Sequence, residues 1–245
     1  IDLVETSPIL AKKQQAALAN SPAAVACHSE LSAIGDGPAI VIANEFFDAL
    51  PVRQFVRAQG GWRERLVGLA ENGELAFGLA PEPTREIAVA GREGAVLEWP
   101  VAGLSIMRAL AERLVAQGGA ALVIDYGHLR SGLADTLQAV KNHAFTDALS
   151  EPGEADITAH VDFAQLASAA QSVGGRIHGP TSQGAFLRAL GIEARAATLA
   201  RGAPARAEEF EAAKLRLTGS GEDDMGALFK VLGISAPALA ALPGL

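Results

Sequence analysis

Short apolar runs alternate with amphipathic helical patterns along the chain. Pro38-Ala39-Ile40-Val41-Ile42-Ala43 and Ala120-Ala121-Leu122-Val123-Ile124 are almost wholly apolar, the pattern of strands covered on both faces of a parallel sheet. Residues 103–117 place Leu104, Met107, Leu110, Ala111 and Leu114 on one helical face, and Gly118-Gly119 stops that helix. The opening residues, Ile1 to Glu5, read as a strand. Ser7 as N-cap and Pro8 at the first helical position then start a helix over 9–19. Ala24–Cys27 predicts a brief strand, 162–173, 184–190 and 207–217 predict helices, and 176–178 and 229–234 predict strands. This alternation argues for a doubly wound α/β sheet.

Two stretches break the pattern. In 52–90, Gln54-Phe55-Val56-Arg57 and Arg63-Glu64-Arg65-Leu66-Val67 flank Gly60-Gly61, a hairpin signal, and Leu75-Ala76-Phe77 adds a strand. A small antiparallel insertion is expected there. Residues 126–157 hold few periodic positions and read as a long loop with short elements, of the kind that serves a site or a lid.

Composition narrows the function classes. The 245 residues are 49 % hydrophobic and 20 % charged, ordinary globular usage that excludes a disordered chain. A net charge of −8 has the wrong sign for tracking phosphates, and Phe 9, Trp 2 and Tyr 1 leave few rings for base stacking, so no nucleic-acid partner is expected. No apolar run reaches the ~18 residues of a membrane span. The single cysteine, Cys27, excludes an internal disulfide framework. The five histidines (28, 128, 143, 160 and 178) lack ligand spacing, so no metal is expected.

In doubly wound sheets, ligands bind beyond the carboxyl ends of the strands. Four such ends carry polar residues: Glu5, His28-Ser29, Asn44-Glu45 and Asp125-Tyr126. An acid at the position of Glu5 can accept both hydroxyls of a nucleotide ribose, and it is equally at home beside its own helix N-terminus. In Asn44-Glu45-Phe46-Phe47-Asp48-Ala49-Leu50-Pro51, one helical turn over 45–49 would set Glu45 and Asp48 on one side. Paired acids can hold a guanidinium in a fork. Phe46 and Phe47 read as pocket walls or as core. Asp125 and Tyr126 line the same cleft or form a strand-end turn. His160, in Asp156-Ile157-Thr158-Ala159-His160-Val161-Asp162, is an acid–base candidate, with Thr158 or Asp162 capping the next helix.

The segments Leu3–Pro8, Ala43–Val52, Ile124–Gly127, Asp156–Phe163 and Met225–Leu232 resemble the MidA family of class I S-adenosylmethionine-dependent methyltransferases. That family includes a mitochondrial protein arginine methyltransferase that assists assembly of respiratory complex I. The resemblance implies a Rossmann-like sheet with an antiparallel last strand across residues 1–245, with 52–90 as a β insertion. It places Glu5, Ser7, His28, Ser29 and Asn44 on the cofactor side. It makes Asn44, Glu45 and Asp48 the catalytic candidates, and Phe46, Phe47, Asp125, Tyr126 and His160 the acceptor contacts. The family sets a first strand and a Gly-rich cofactor loop ahead of the position of Ile1, so the resemblance implies an N-terminally truncated copy. It also implies a protein acceptor, with a complex I subunit as the example. The cytoplasm of a bacterium is the expected location, with the mitochondrion as alternative. Two other readings stand beside it: a non-catalytic assembly factor that keeps the fold, and an NAD-dependent oxidoreductase, which also suits an acid at a strand end.

Overall fold

A computed structural model describes residues 1–221 and 224–245. The described residues form two compact units, Ile1–Pro38 and Ala39–Leu245. The expectation was one domain over the whole chain, with 52–90 inserted.

In the first unit, β1 (Asp2–Val4) runs parallel to β2 (Ala26–His28), with Asp2, Leu3 and Val4 opposite Ala26, Cys27 and His28. Helix α1 (Pro8–Ala17) lies between them in sequence. Its start is as predicted: the Ser7 hydroxyl accepts the Leu10 N–H, and Pro8 occupies the first turn, where its missing N–H costs nothing. Cys27 is half-buried.

The second unit opens with β3 (Ala39–Asn44), followed by β4 (Arg53–Ala58), β5 (Gly61–Leu69), β6 (Leu75–Leu79) and β7 (Val96–Trp99). The last four make an antiparallel sheet in the order β6-β5-β4-β7, turning at Gly60-Gly61 as the sequence predicts. The sheet extends beyond residue 90, because β7 returns to pair with β4. Phe55 and Trp62 are its buried anchors, at 0 % and 2 % exposure. The Trp62 indole N–H donates to the Val89 carbonyl at 2.8 Å, so the ring is buried with its polar atom satisfied.

Helix α2 (Val101–Gln117) and strand β8 (Gly119–His128) come next. The stripe of Gly103, Leu104, Met107, Leu110, Ala111 and Leu114 is buried, and Gly118, at φ +89°, closes the helix. Strand β8 is longer than predicted: Asp125 and Tyr126 lie inside it, not beyond its end. It is covered chiefly on one face, with Ala121, Val123, Asp125 and Gly127 buried in alternation.

Residues 129–160 hold short elements, as expected of most of 126–157, whose first three residues belong to β8 instead. They carry β9 (Gln138–Lys141), β10 (Ala144–Thr146) and β11 (Asp156–Thr158), a small antiparallel sheet in the order β10-β9-β11. Then follow β12 (Val161–Asp162), α3 (Phe163–Gln171), β13 (Arg176–Ser182), α4 (Gln183–Ala189), α5 (Ile192–Gly202), α6 (Ala207–Thr218), α7 (Met225–Leu228) and β14 (Phe229–Ser235). Of the two caps offered for α3, Asp162 is the one used. Helix α5 was not predicted.

The main sheet has β8 at its centre. β14 lies antiparallel on one edge of β8, with β13 beyond it. The strand β3 pairs in parallel with Gly119–Ile124, and β12 pairs in parallel with Gly127 and His128. A Cβ at Gly127 would lie 2.0 Å from the Val161 carbonyl oxygen, so this close approach needs glycine. The arrangement is the Rossmann-like one expected, with the last strand antiparallel.

Candidate functional site

The site of the second unit sits at the carboxyl end of β3. After Asn44 the backbone turns sharply, and Glu45 takes φ +46°. A non-glycine residue there is strained by its Cβ, and such strain concentrates at functional turns. The helical turn expected over 45–49 does not form, because the left-handed Glu45 cannot begin one. Nor do the two acids share a side: Glu45 is exposed and Asp48 is 6 % exposed. The Asn44 amide donates to Glu45 Oε1 at 3.3 Å.

What holds the turn is Asp125. Its Oδ2 accepts the backbone N–H groups of Phe46, Phe47 and Asp48 at 3.2, 3.1 and 3.3 Å, and its Oδ1 accepts the Tyr126 N–H at 3.0 Å. Three successive N–H groups converging on one oxygen make an anion-holding concavity. Asp125 is fully buried, and its carboxylate faces main chain. Burial, and next the Asp48 carboxylate, push the Asp125 carboxyl up to about 7, against the N–H groups that favour its charge.

Two further ties secure the turn. The Tyr126 hydroxyl donates to Asp48 Oδ2 at 2.5 Å, and the Ala159 N–H donates to the Asp48 carbonyl at 3.0 Å. Burial and the bond to Asp48 raise the Tyr126 pKa above its ordinary value, so the phenol stays neutral and donates. The other Asp48 oxygen, Oδ1, is buried without a partner among the described residues. Phe47 is buried and Phe46 is at the edge of exposure, with their rings edge-to-face at 5.1 Å. His160 packs edge-on against Tyr126 at 5.5 Å, and burial lowers its pKa, keeping the imidazole neutral at pH 7.

Beside the turn lies a cavity of about 30 Å³, lined in part by Phe47, Glu98, His128, His160 and Asp162. The exposed polar side chains of the turn are Asn44 and Glu45. The Asp162 carboxylate is raised by burial, but bonds from His128, Gln165 and Ser131 outweigh this and bring it down to about 2. It serves as a helix cap.

The sequence-predicted residues Asn44, Glu45, Phe46, Phe47, Asp48, Asp125, Tyr126 and His160 thus meet around one turn. In the first unit, Glu5 and Ser7 follow β1, His28 is the last residue of β2 and Ser29 follows it. The Glu5 carboxylate accepts the Ser7 N–H at 2.8 Å and the Gln14 amide at 3.3 Å. His28 Nε2 lies 2.8 Å from Asp2 Oδ1, and Ser29 is exposed. The sequence reading missed Glu98, which accepts from Gln54, the Thr136 N–H and the Thr136 hydroxyl and so links the inserted sheet to the 129–160 excursion. A lone acid in an apolar strand, Val96-Leu97-Glu98-Trp99, was the available signal.

Comparison with known proteins completes the picture. Residues 1–181 match the profile of a family described as "Putative S-adenosyl-L-methionine-dependent methyltransferase". The chain is 38 % identical over 176 residues to the Danio rerio "Protein arginine methyltransferase NDUFAF7, mitochondrial", covering 65 % of this chain and 38 % of that protein. It is 35 % identical over 226 residues to the Drosophila melanogaster "Protein arginine methyltransferase NDUFAF7 homolog, mitochondrial", covering 87 % of this chain and 51 % of that one. A Burkholderia thailandensis crystal structure bound to S-adenosyl-homocysteine superposes with a TM-score of 0.84 at 28 % identity, over 99 % of this chain and 65 % of that one. The chain spans 38 % to 51 % of the length of these two curated relatives.

Proposed function

The chain belongs to the MidA family of S-adenosyl-L-methionine-dependent methyltransferases, and on that premise we propose that it takes part in methyl transfer to an arginine side chain of a protein, with Glu45 presenting the acceptor. The exposed Glu45 carboxylate, fixed in a strained turn at the carboxyl end of β3, carries this reading. The names of the relatives support arginine as the acceptor. A subunit of respiratory complex I is the acceptor protein that the family resemblance implies, and the mitochondrial names of the relatives favour the mitochondrial reading of location over the cytoplasmic one. The antiparallel β14 and the neighbour holding S-adenosyl-homocysteine argue against the NAD-dependent reading.

The residues present fit the cofactor's ribose. Glu5 meets no cation among the ion pairs of the described residues, and each of its oxygens has one neutral donor, which leaves lone pairs for two hydroxyls. S-Adenosylmethionine, when bound, supplies a methyl carried on a sulfonium. The rest is alignment and electrostatics. An arginine stays protonated, with a pKa above ~12, and its nitrogens are weak nucleophiles. Glu45, accepting N–H bonds from one side of the guanidinium, draws positive charge to that side and leaves the far nitrogen more nucleophilic. Asn44 holds Oε1 of Glu45 and leaves Oε2 to the acceptor. The proton that the attacking nitrogen loses passes to water. Asp48, turned inward onto Tyr126, orients the turn and does not complete a fork with Glu45.

The test is Glu45→Gln in the complete protein, with methyl incorporation into an arginine-containing acceptor read by mass spectrometry. Transfer is expected to collapse while acceptor binding weakens only modestly. An unchanged rate, with the acceptor bound as before, removes Glu45 from the reaction.

A further inference from the structure

We infer that Asp125 is a positioning residue: buried beneath the β3 turn, its carboxylate holds the main chain of Phe46, Phe47 and Asp48 in the one shape that keeps Glu45 left-handed and facing outward. The inference rests on the proposed role of Glu45 and adds the group that sets its geometry.

Four observations lead here. Asp125 is the one acid in β8, and it occurs on the face where Ala121, Val123 and Gly127 are buried. Burying a carboxylate is costly unless its oxygens are bonded, and both oxygens are bonded, to four backbone N–H groups in all. Three of those groups lie almost eighty residues away in sequence, so the bonds define tertiary structure. They also pull against a backbone that would otherwise relax, since a glutamate at φ +46° is held there only if its surroundings over-determine it. Finally, Asp125 is 0 % exposed and has no face left for a ligand. It acts on the acceptor through Glu45, whereas the sequence reading places it among the acceptor contacts.

The geometry makes a specific demand on the side chain. Both oxygens must accept, so the isosteric Asp125→Asn variant, with one acceptor and one donor, loses either the Tyr126 bond or the triple bond to the turn. The donor would face N–H groups at about 3 Å. An asparagine therefore keeps the shape and removes the clamp.

The experiment has three arms in the complete protein. In Asp125→Asn, amide exchange at Phe46, Phe47 and Asp48 is expected to be about tenfold or more faster, while Val231–Ile234 of β14 exchanges as before. In the same variant kcat for methyl transfer is expected to fall by roughly 100-fold, the scale of a 1 Å misplacement, with KM for cofactor and acceptor nearly unchanged. A merely structural role would alter the whole sheet and both KM values. The third arm needs no variant. The Asp125 carboxyl carbon should show deuterium isotope shifts when the amides of 46–48 are exchanged, a direct reading of those bonds in the unmodified protein. Exchange at 46–48 that matches the unmodified protein, an unchanged kcat, or the lack of those isotope shifts overturns the inference. If the unmodified protein transfers no methyl to any arginine acceptor, the function proposed above falls, and the exchange and isotope arms decide the clamp by themselves.

Discussion

Replacing Glu45 by glycine should make the protein more stable and less active at once. Glu45 sits at φ +46° on the surface, and among the described residues its side chain bonds only the Asn44 amide, at 3.3 Å. A left-handed conformation costs an L-residue about 1–2 kcal/mol through its Cβ. Glycine removes that cost but has a freer unfolded chain, which returns roughly 0.5–1 kcal/mol. The net expectation for Glu45→Gly is a gain of about 0.5–1 kcal/mol, or roughly 1–4 °C in Tm for a unit of this size. Glu45→Ala provides the control, since it removes the same carboxylate and keeps the Cβ. It should gain nothing in stability and lose methyl transfer to the same degree. Thermal unfolding and urea titration of the three proteins, read beside their transfer rates, make the comparison. If alanine stabilises as much as glycine, or glycine lowers Tm, the strain is not where the backbone puts it.

Two other outcomes follow from the same geometry. Asp162, with its carboxyl held at about 2 against an ordinary 3.8, contributes stability that is complete above about pH 4 and is lost as pH falls through 2; Asp162→Asn should flatten the acid limb of a stability–pH curve, and an unchanged limb refutes this. Gly127→Ala should cost on the order of 2–4 kcal/mol in urea titration, the range of a main-chain overlap that nothing can relieve, since its Cβ meets the Val161 carbonyl.

Much of the second unit was legible because periodicity is a local property. The stripe of α2, the apolar runs of β3 and β8 and the Gly60-Gly61 hairpin each announce themselves within a dozen residues. The 129–160 excursion was legible only as a long loop with short elements: β9, β10 and β11 are three or four residues long and are defined by pairing with one another. The identity of the polar site residues was visible, since Asn44, Glu45 and Asp125 follow or interrupt apolar strands. Their division of labour was not. Spacing alone put Glu45 and Asp48 on one helical side; the backbone inverts Glu45, and a distant acid, Asp125, collects the N–H groups that a helix would have used. The available hint was parity: Asp125 falls in step with Ala121 and Val123, and therefore inward.

The edge of β8 serves two guests in succession, β3 up to Ile124 and β12 from Gly127. Between their berths lie Asp125 and Tyr126, the two residues that grip the turn. Everything from Leu129 to His160 therefore leaves that edge and returns to it, much as a detour rejoins its road. Ser131 and Thr136 moor it to Asp162 and Glu98 on the way, and Ala159 and Val161 bring it back in register.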